Sequence, residues 1–338
     1  MDVLKTLEKL TSLYLPSPGG KKNTDALAAL LSEYADNVSV TRGGSVIITA
    51  GSGKKRVLVD AHHDEVCFIV SEIKGSFVKI IDPFGADVRV LPAGRLTILG
   101  EKPVAGVCFA MPPHLLKDDE RGKNLPADKL CIDTGLPEAT LKKLVFPGAP
   151  VCYPRRFEKL ENGRVAAAAL DDRIGCLLNL MLYESLKKDC PEDITVDFAF
   201  ASEEERSGRG AETEGFGRGY SEALAFDVTF ATDPAVSEKK ALALGSGAAI
   251  GVSPILDRAM SDALIKIAVD NSIPHTVEVM GGRTGTDCDS LSTREGGIKT
   301  ALVSVPIRSM HTPVELCDPA DIDAAFKLCD LFLRREAL

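Results

Sequence analysis

The sequence predicts an α/β protein, a mixed-sheet main domain carrying a small β-rich insertion. Three observations carry that expectation. Apolar runs such as Arg56 to Asp60, Ile194 to Ala201, Ala225 to Ala231 and Thr300 to Pro306 have the length and content of buried strands, and helical patterns lie between them. From Cys67 to about Gly163 the texture changes to short β-rich runs broken by Gly and Pro. Several of the long apolar runs end in clustered His, Asp or Glu, at the edge where α/β sheets place their sites. The expected division is a discontinuous main domain of residues 1–66 and 164–338, with residues 67–163 inserted for assembly or substrate access.

Composition narrows the function. The 338 residues are 45% hydrophobic and 26% charged, which allows one large or two ordinary cores. A net charge of −9 without a long basic block argues against nucleic acid, and part of the acidic excess suits bound cations. Nine cysteines, with no Cys-x-x-Cys pair, point to a reducing compartment and to cysteines used as small buried hydrophobes. Asp2 and Glu8 interrupt any signal-peptide pattern, and no run reaches the ~18 apolar residues of a membrane span. A soluble cytoplasmic protein is expected.

In chain order, Leu4, Leu7, Leu10, Leu13 and Leu15 mark an amphipathic helix stopped by Pro16-Ser17-Pro18-Gly19-Gly20. Asn23 or Thr24 is expected to cap a second helix, with Leu27, Leu30, Leu31 and Tyr34 facing inward. Val38 to Val40 and Ser45 to Ile48 flank Thr41-Arg42-Gly43-Gly44 as a hairpin. In the insertion, Phe77 to Ile81 and Arg95 to Leu99 read as strands and Glu138 to Leu144 as a short helix, with His114 structural. Later come helices from Asp171-Asp172 to about Lys188 and from Asp257 to Asp270, and a strand from His275 to Val279. Asp318 caps a final helix, with Pro319 in its favoured first position.

Four places carry chemistry. His62 and Asp64 follow a strand two residues apart and so share a face; a metal-binding His needs such a carboxylate to fix its ring, whereas His63 faces the other way and is structural. Asp171-Asp172 opens a helix, where one Asp is ordinarily a cap; the second suggests that Asp171 bridges two metal ions while Asp172 holds the turn. Glu203-Glu204-Glu205 ends the strand Ile194 to Ala201, and the chemistry needs one Glu on metal and another free to move protons. A strict strand would send Glu204 and Glu205 to opposite faces, so a bend is expected at Ser207-Gly208. Asp227 lies within a strand, where an unpaired carboxylate needs a cation or an Arg, and Asp233 nearer the strand end competes for the role. His311 follows the last core strand, where a second imidazole ligand is expected. Gly281 to Asp287 is glycine-rich but lacks the setting of a phosphate loop.

Taken in order, His62-His63-Asp64-Glu65-Val66, Ala169 to Gly175, Glu204-Glu205 with Arg209-Gly210-Ala211, Asp227-Val228-Thr229, Gly285-Thr286-Asp287 and Met310 to Glu315 resemble the glutamyl aminopeptidase/cellulase-M-like family, the tetrahedral aminopeptidases. The resemblance implies an α/β/α metallopeptidase domain with a PDZ-like or barrel-like insertion, acting on short peptides. It implies two divalent ions, zinc or cobalt: His62 and Asp227 on one, Glu205 and His311 on the other, Asp171 bridging. Glu204 would be the general base, Asp64 would orient His62, Asp287 would touch substrate, and the Asp171–Asp172 peptide would be cis. It also implies dimers assembled into a hollow twelve-subunit tetrahedron. The chain departs from the family pattern at Cys67, at Arg206-Ser207-Gly208 and near Pro18-Gly19-Gly20-Lys21. Three other readings compete: a related metal amidohydrolase or N-deacylase, a metal-free glycosidase with a carboxylic acid pair, and an assembly protein with a vestigial site.

Overall fold

A computed structural model describes residues 1–83, 85–109, 111–118, 122–123, 126–234, 236 and 241–335. Contacts divide them into two units: Met1–Glu65, Arg156–Met310 and Val314–Leu338 form one, and Val66–Arg155 with His311–Pro313 the other. The strands are β1 Ser39–Val40, β2 Val46–Gly51, β3 Lys55–His62, β4 Phe68–Lys74, β5 Phe77–Ile81, β6 Arg95–Leu99, β7 Pro103–Phe109, β8 Cys131–Asp133 and β9 Pro150–Cys152. They continue with β10 Phe157–Lys159, β11 Val165–Ala167, β12 Ile194–Ala201, β13 Tyr220–Phe230, β14 Ala248–Val252, β15 His275–Val279, β16 Lys299–Arg308 and β17 Glu315–Cys317.

The first unit is built on one mixed sheet, in the order β1-β2-β12-β3-β13-β16-β17-β11-β10, with β14 and β15 branching from β16. Its centre, β12, β3, β13 and β16, is parallel. Those strands are mainly apolar because both faces are covered. Val57, Val59, Phe198 and Phe200 lie on one face with Leu177, Leu178 and Leu182 of helix Leu170–Leu186. Leu58, Ala199 and Ala223 lie on the other with Leu291 and Ile298. Alternation along each strand thus feeds two layers and gives the expected α/β/α arrangement. Parallel strands also bring their C-terminal ends to one edge: Ala201 pairs with His62, and Ala225 with Asp60, so continuing the register brings Asp227 level with His62.

Helix starts follow cap chemistry. Asp2, Asp257 and Asp318 each accept a backbone N–H at the start of the helix that follows. The second helix, Lys21–Leu31, starts earlier than expected: Gly20 is its cap, and Asn23 reaches back from inside to accept the Gly20 N–H at 3.2 Å.

The second unit is a six-stranded antiparallel ring, β4-β5-β8-β7-β6-β9, closed by β9 on β4. Its interior is filled by Phe68, Val70, Val78, Ile80, Leu96, Ile98, Val104, Ile132 and Val151, all buried. Gly106 is required on β7, because a Cβ there would come within 2.4 Å of Ile132 Cγ2. Of the two forms expected for the insertion, this is the barrel. Phe157–Lys159, placed in the insertion by its texture, pairs with β11 in the main sheet. Short edge strands and barrel strands carry the same Gly- and Pro-broken pattern, so texture alone does not separate them.

Phe198 is fully buried on β12 and meets Tyr183 edge to face at 6.0 Å. Phe198→Ala should lower unfolding free energy by about 3–5 kcal/mol, and Asp257→Ala by about 1 kcal/mol through its lost cap. Urea unfolding midpoints should show this ordering.

Candidate metal centre

His62 closes β3 and is buried at 2% exposure. Its Nε2 lies 3.0 Å from Asp171 Oδ1. On the other side of the ring, Nδ1 lies 3.2 Å from the Asp64 carbonyl and 3.6 Å from its carboxylate. The two-residue spacing thus does what the strand geometry predicts. The same Asp64 carboxylate accepts the Glu204 N–H at 3.0 Å, tying the first motif to the third.

Asp171 and Asp172 sit at the head of helix Leu170–Leu186, in non-helical backbone joined by a cis peptide. Asp172 is the cap, accepting the Gly175 N–H at 2.9 Å; Asp171 turns its carboxylate to His62. The backbone N–H of Asp171 is held by Glu315 Oε2 at 3.1 Å. Glu315 closes the last motif but received no role in the sequence reading. In the three-residue strand β17 it is buried, as is Cys317, with the half-buried Leu316 between them.

The bend between Glu204 and Glu205 comes earlier than Ser207-Gly208. Glu203 already has φ 61°, and helix Glu204–Ser207 starts at once. Helical backbone places successive side chains about 100° apart, so a flip across a strand is avoided. Glu203 turns to Arg209, at 2.6 Å. Glu204 Oε2 lies 4.0 Å from His62 Nε2.

One ligand-type atom each from His62, Asp171 and Asp227 lies within 4.8 Å of the others. Glu205 lies on helix Glu204–Ser207 of the same unit, and His311 belongs to the second unit. Asp233, the competitor of Asp227, instead accepts the Val236 N–H at 2.9 Å. Asp287, expected to touch substrate, is 2% exposed and lies beside Asp60.

The electrostatics show what the cluster lacks. Burial pushes the Glu204 carboxyl up to about 9, against the pull of His62 and helped by Asp287 and Glu205. Burial likewise drives Asp172 and Asp227 well above the usual carboxylate range. Burial opposes charge on His62, yet the hydrogen bonds it donates to the Asp171 and Asp64 carboxylates hold its pKa well above the ordinary imidazole value. Desolvated carboxylates must take up protons or a cation. Imidazole and carboxylate are the donors that zinc and cobalt accept. The residues therefore fit a divalent ion.

His63 points away, with Nε2 3.1 Å from the Gly44 carbonyl, and burial pushes its pKa down to about 4. In the unfolded chain the ring takes its proton near pH 6.5. Between those values the unfolded state binds more protons, so stability present above pH 6.5 is lost as pH falls toward 4, at up to about 1.4 kcal/mol per pH unit. His63→Gln should flatten that dependence in urea unfolding measured from pH 7 to 4.5.

The family model for M42 glutamyl aminopeptidases matches residues 44–328. The lysyl aminopeptidase of Pyrococcus furiosus is 29% identical over 314 residues, covering 91% of this chain and 90% of its own. A TET aminopeptidase structure from a marine-sediment Thaumarchaeota archaeon superposes with a TM-score of 0.91 at 27% identity, over 99% of this chain and 96% of that one. The TET1 peptidase of Pyrococcus horikoshii, described as assembling into a tetrahedron or a large octahedral shell, gives a TM-score of 0.84 at 26% identity, over 97% and 98% of the two chains. Among the described residues no helix is long and apolar enough to cross a membrane. With its motifs in order, its barrel-bearing α/β fold and a family match across most of its length, this chain belongs to the M42 glutamyl aminopeptidase family.

Proposed function

We propose that the protein is a metal-dependent aminopeptidase that removes N-terminal residues from short peptides in the cytoplasm. His62 and Asp227 hold one divalent ion, Glu205 and His311 the other, and Asp171 both; zinc or cobalt suits the set. The observation that carries this reading is the convergence of ligand-type atoms of His62, Asp171 and Asp227. When bound, such a pair supplies Lewis acidity to the scissile carbonyl and acidifies water near neutral pH.

The protein's own residues do the rest. Glu204 is the general base, taking a proton from the attacking water and giving it to the leaving amine. Asp64 positions both partners, because its carboxylate lies beside the His62 ring and also accepts the Glu204 N–H. Glu315 fixes the backbone of Asp171. The barrel of Val66–Arg155 serves assembly of copies into dimers and a dodecamer; that copies assemble is supported by the shell-forming Pyrococcus horikoshii relative.

Glu204→Gln should lower kcat on aminoacyl chromogenic substrates by about 10²-fold or more while metal content stays at the wild-type level. Chelation should abolish activity, and zinc or cobalt should restore it. A peptide acetylated at its amino end should not be cleaved. Full activity after chelation, or ready cleavage of the blocked peptide, would overturn the assignment.

A further inference from the structure

Arg173 has no part in the chemistry proposed above, yet it is fully buried, two residues beyond Asp171. Its guanidinium spreads in three directions. Nε donates to the His63 carbonyl at 2.9 Å. Nη1 donates to the Leu10 carbonyl at 2.8 Å and reaches that of Leu13 at 3.4 Å. Nη2 lies 3.5 Å from Glu65 Oε1, which also accepts the Leu15 N–H at 2.8 Å. One turn further along the same helix, Cys176 Sγ donates to the His62 carbonyl at 3.2 Å.

These contacts have a pattern. Two consecutive carbonyls, those of His62 and His63, are gripped by two residues three apart on the helix that begins with Asp171. Glu65 binds the end of the same loop to the guanidinium and to the N-terminal segment. A buried charge is a poor way to gain stability alone, since a well-packed apolar side chain often serves as well. A planar fork with fixed donor directions is, however, a good way to fix geometry.

We infer that Arg173 is a positioning residue: it locks the loop carrying His62 and Asp64 to the helix carrying Asp171, and so sets the affinity for the ion held by His62, Asp171 and Asp227. The inference rests on the two-ion reading proposed above. Lysine keeps the charge but cannot reach the His63 carbonyl, the Leu10 carbonyl and Glu65 together. The loop would then be free to shift relative to the helix while the sheet beneath stays intact.

The test is cobalt(II) titration of the metal-free full-length protein, followed by calorimetry and by visible absorption. Wild type should take up two ions per chain. Arg173→Lys should weaken one of the two binding steps by about tenfold or more and change the cobalt absorption spectrum, with the other step and the far-UV circular dichroism preserved. Glu65→Gln should weaken the same step and carries the test alone if Arg173→Lys does not fold. Two unchanged steps in the variant that folds would overturn the inference and leave the two-ion reading standing, as would equal loss of both steps accompanied by a lower melting temperature. Wild-type protein that takes up no cobalt would overturn the two-ion reading and the inference with it.

Discussion

The constraint on which this structure turns is the burial of several carboxylates beside a single imidazole at the end of a parallel sheet. Asp171, Asp172 and Asp227 lie in the interior with His62. Burial first, then neighbouring carboxylates, lifts Asp172, Asp227 and Glu204 out of the ordinary carboxylate range. No fold keeps such a group for stability, because each desolvated charge works against it. The site is where the surrounding structure concentrates its order: Asp64, Glu315 and Asp172 each spend a carboxylate on backbone N–H groups that hold the cluster in place.

The topology explains how residues so distant in sequence meet. His62 and Asp171 are 109 residues apart, and the barrel is strung between them. The centre of the sheet is assembled from strands out of chain order, β3 lying between β12 and β13. Each strand delivers its polar residue at its C-terminal end, so the site is complete only when the long-range parallel pairings are. Such pairings are slow to form, since loop closure precedes the contacts that reward it.

Much of this was legible in the sequence because the signals were local. Ile194–Ala201 and His275–Val279 are bounded as their apolar runs and flanking breakers suggest, and the caps Asp257 and Asp318 stand where side-chain oxygens meet orphan N–H groups. The His62–Asp64 spacing revealed a shared face because strand geometry does not depend on distant partners. What escaped depends on the tertiary fold. Gly20 rather than Asn23 caps the second helix, since the chain direction into it is set elsewhere. The left-handed turn at Glu203 is an unusual conformation for a Glu and leaves no mark in composition. Strand β17 is three residues long, too short for a period to show, and with it went the role of Glu315. Arg173 reads as a solvated helix residue until the loop it grips is folded over it. The resemblance to a family supplied what local physics left open, the preference for Asp227 on β13 over Asp233 beyond its end.

The closed ring of the second unit has a consequence of its own. A sheet that ends in an open strand offers a ladder of backbone donors and acceptors to any passing extended chain. Here β9 returns to β4 and consumes that ladder. Recognition by this unit must therefore be written in side chains. On its outer surface Phe77 and Phe109 stand edge to face at 5.4 Å, both partly open to solvent, beside Val107. Substitutions at such positions would alter what the barrel meets without disturbing the hydrogen bonds that keep it shut.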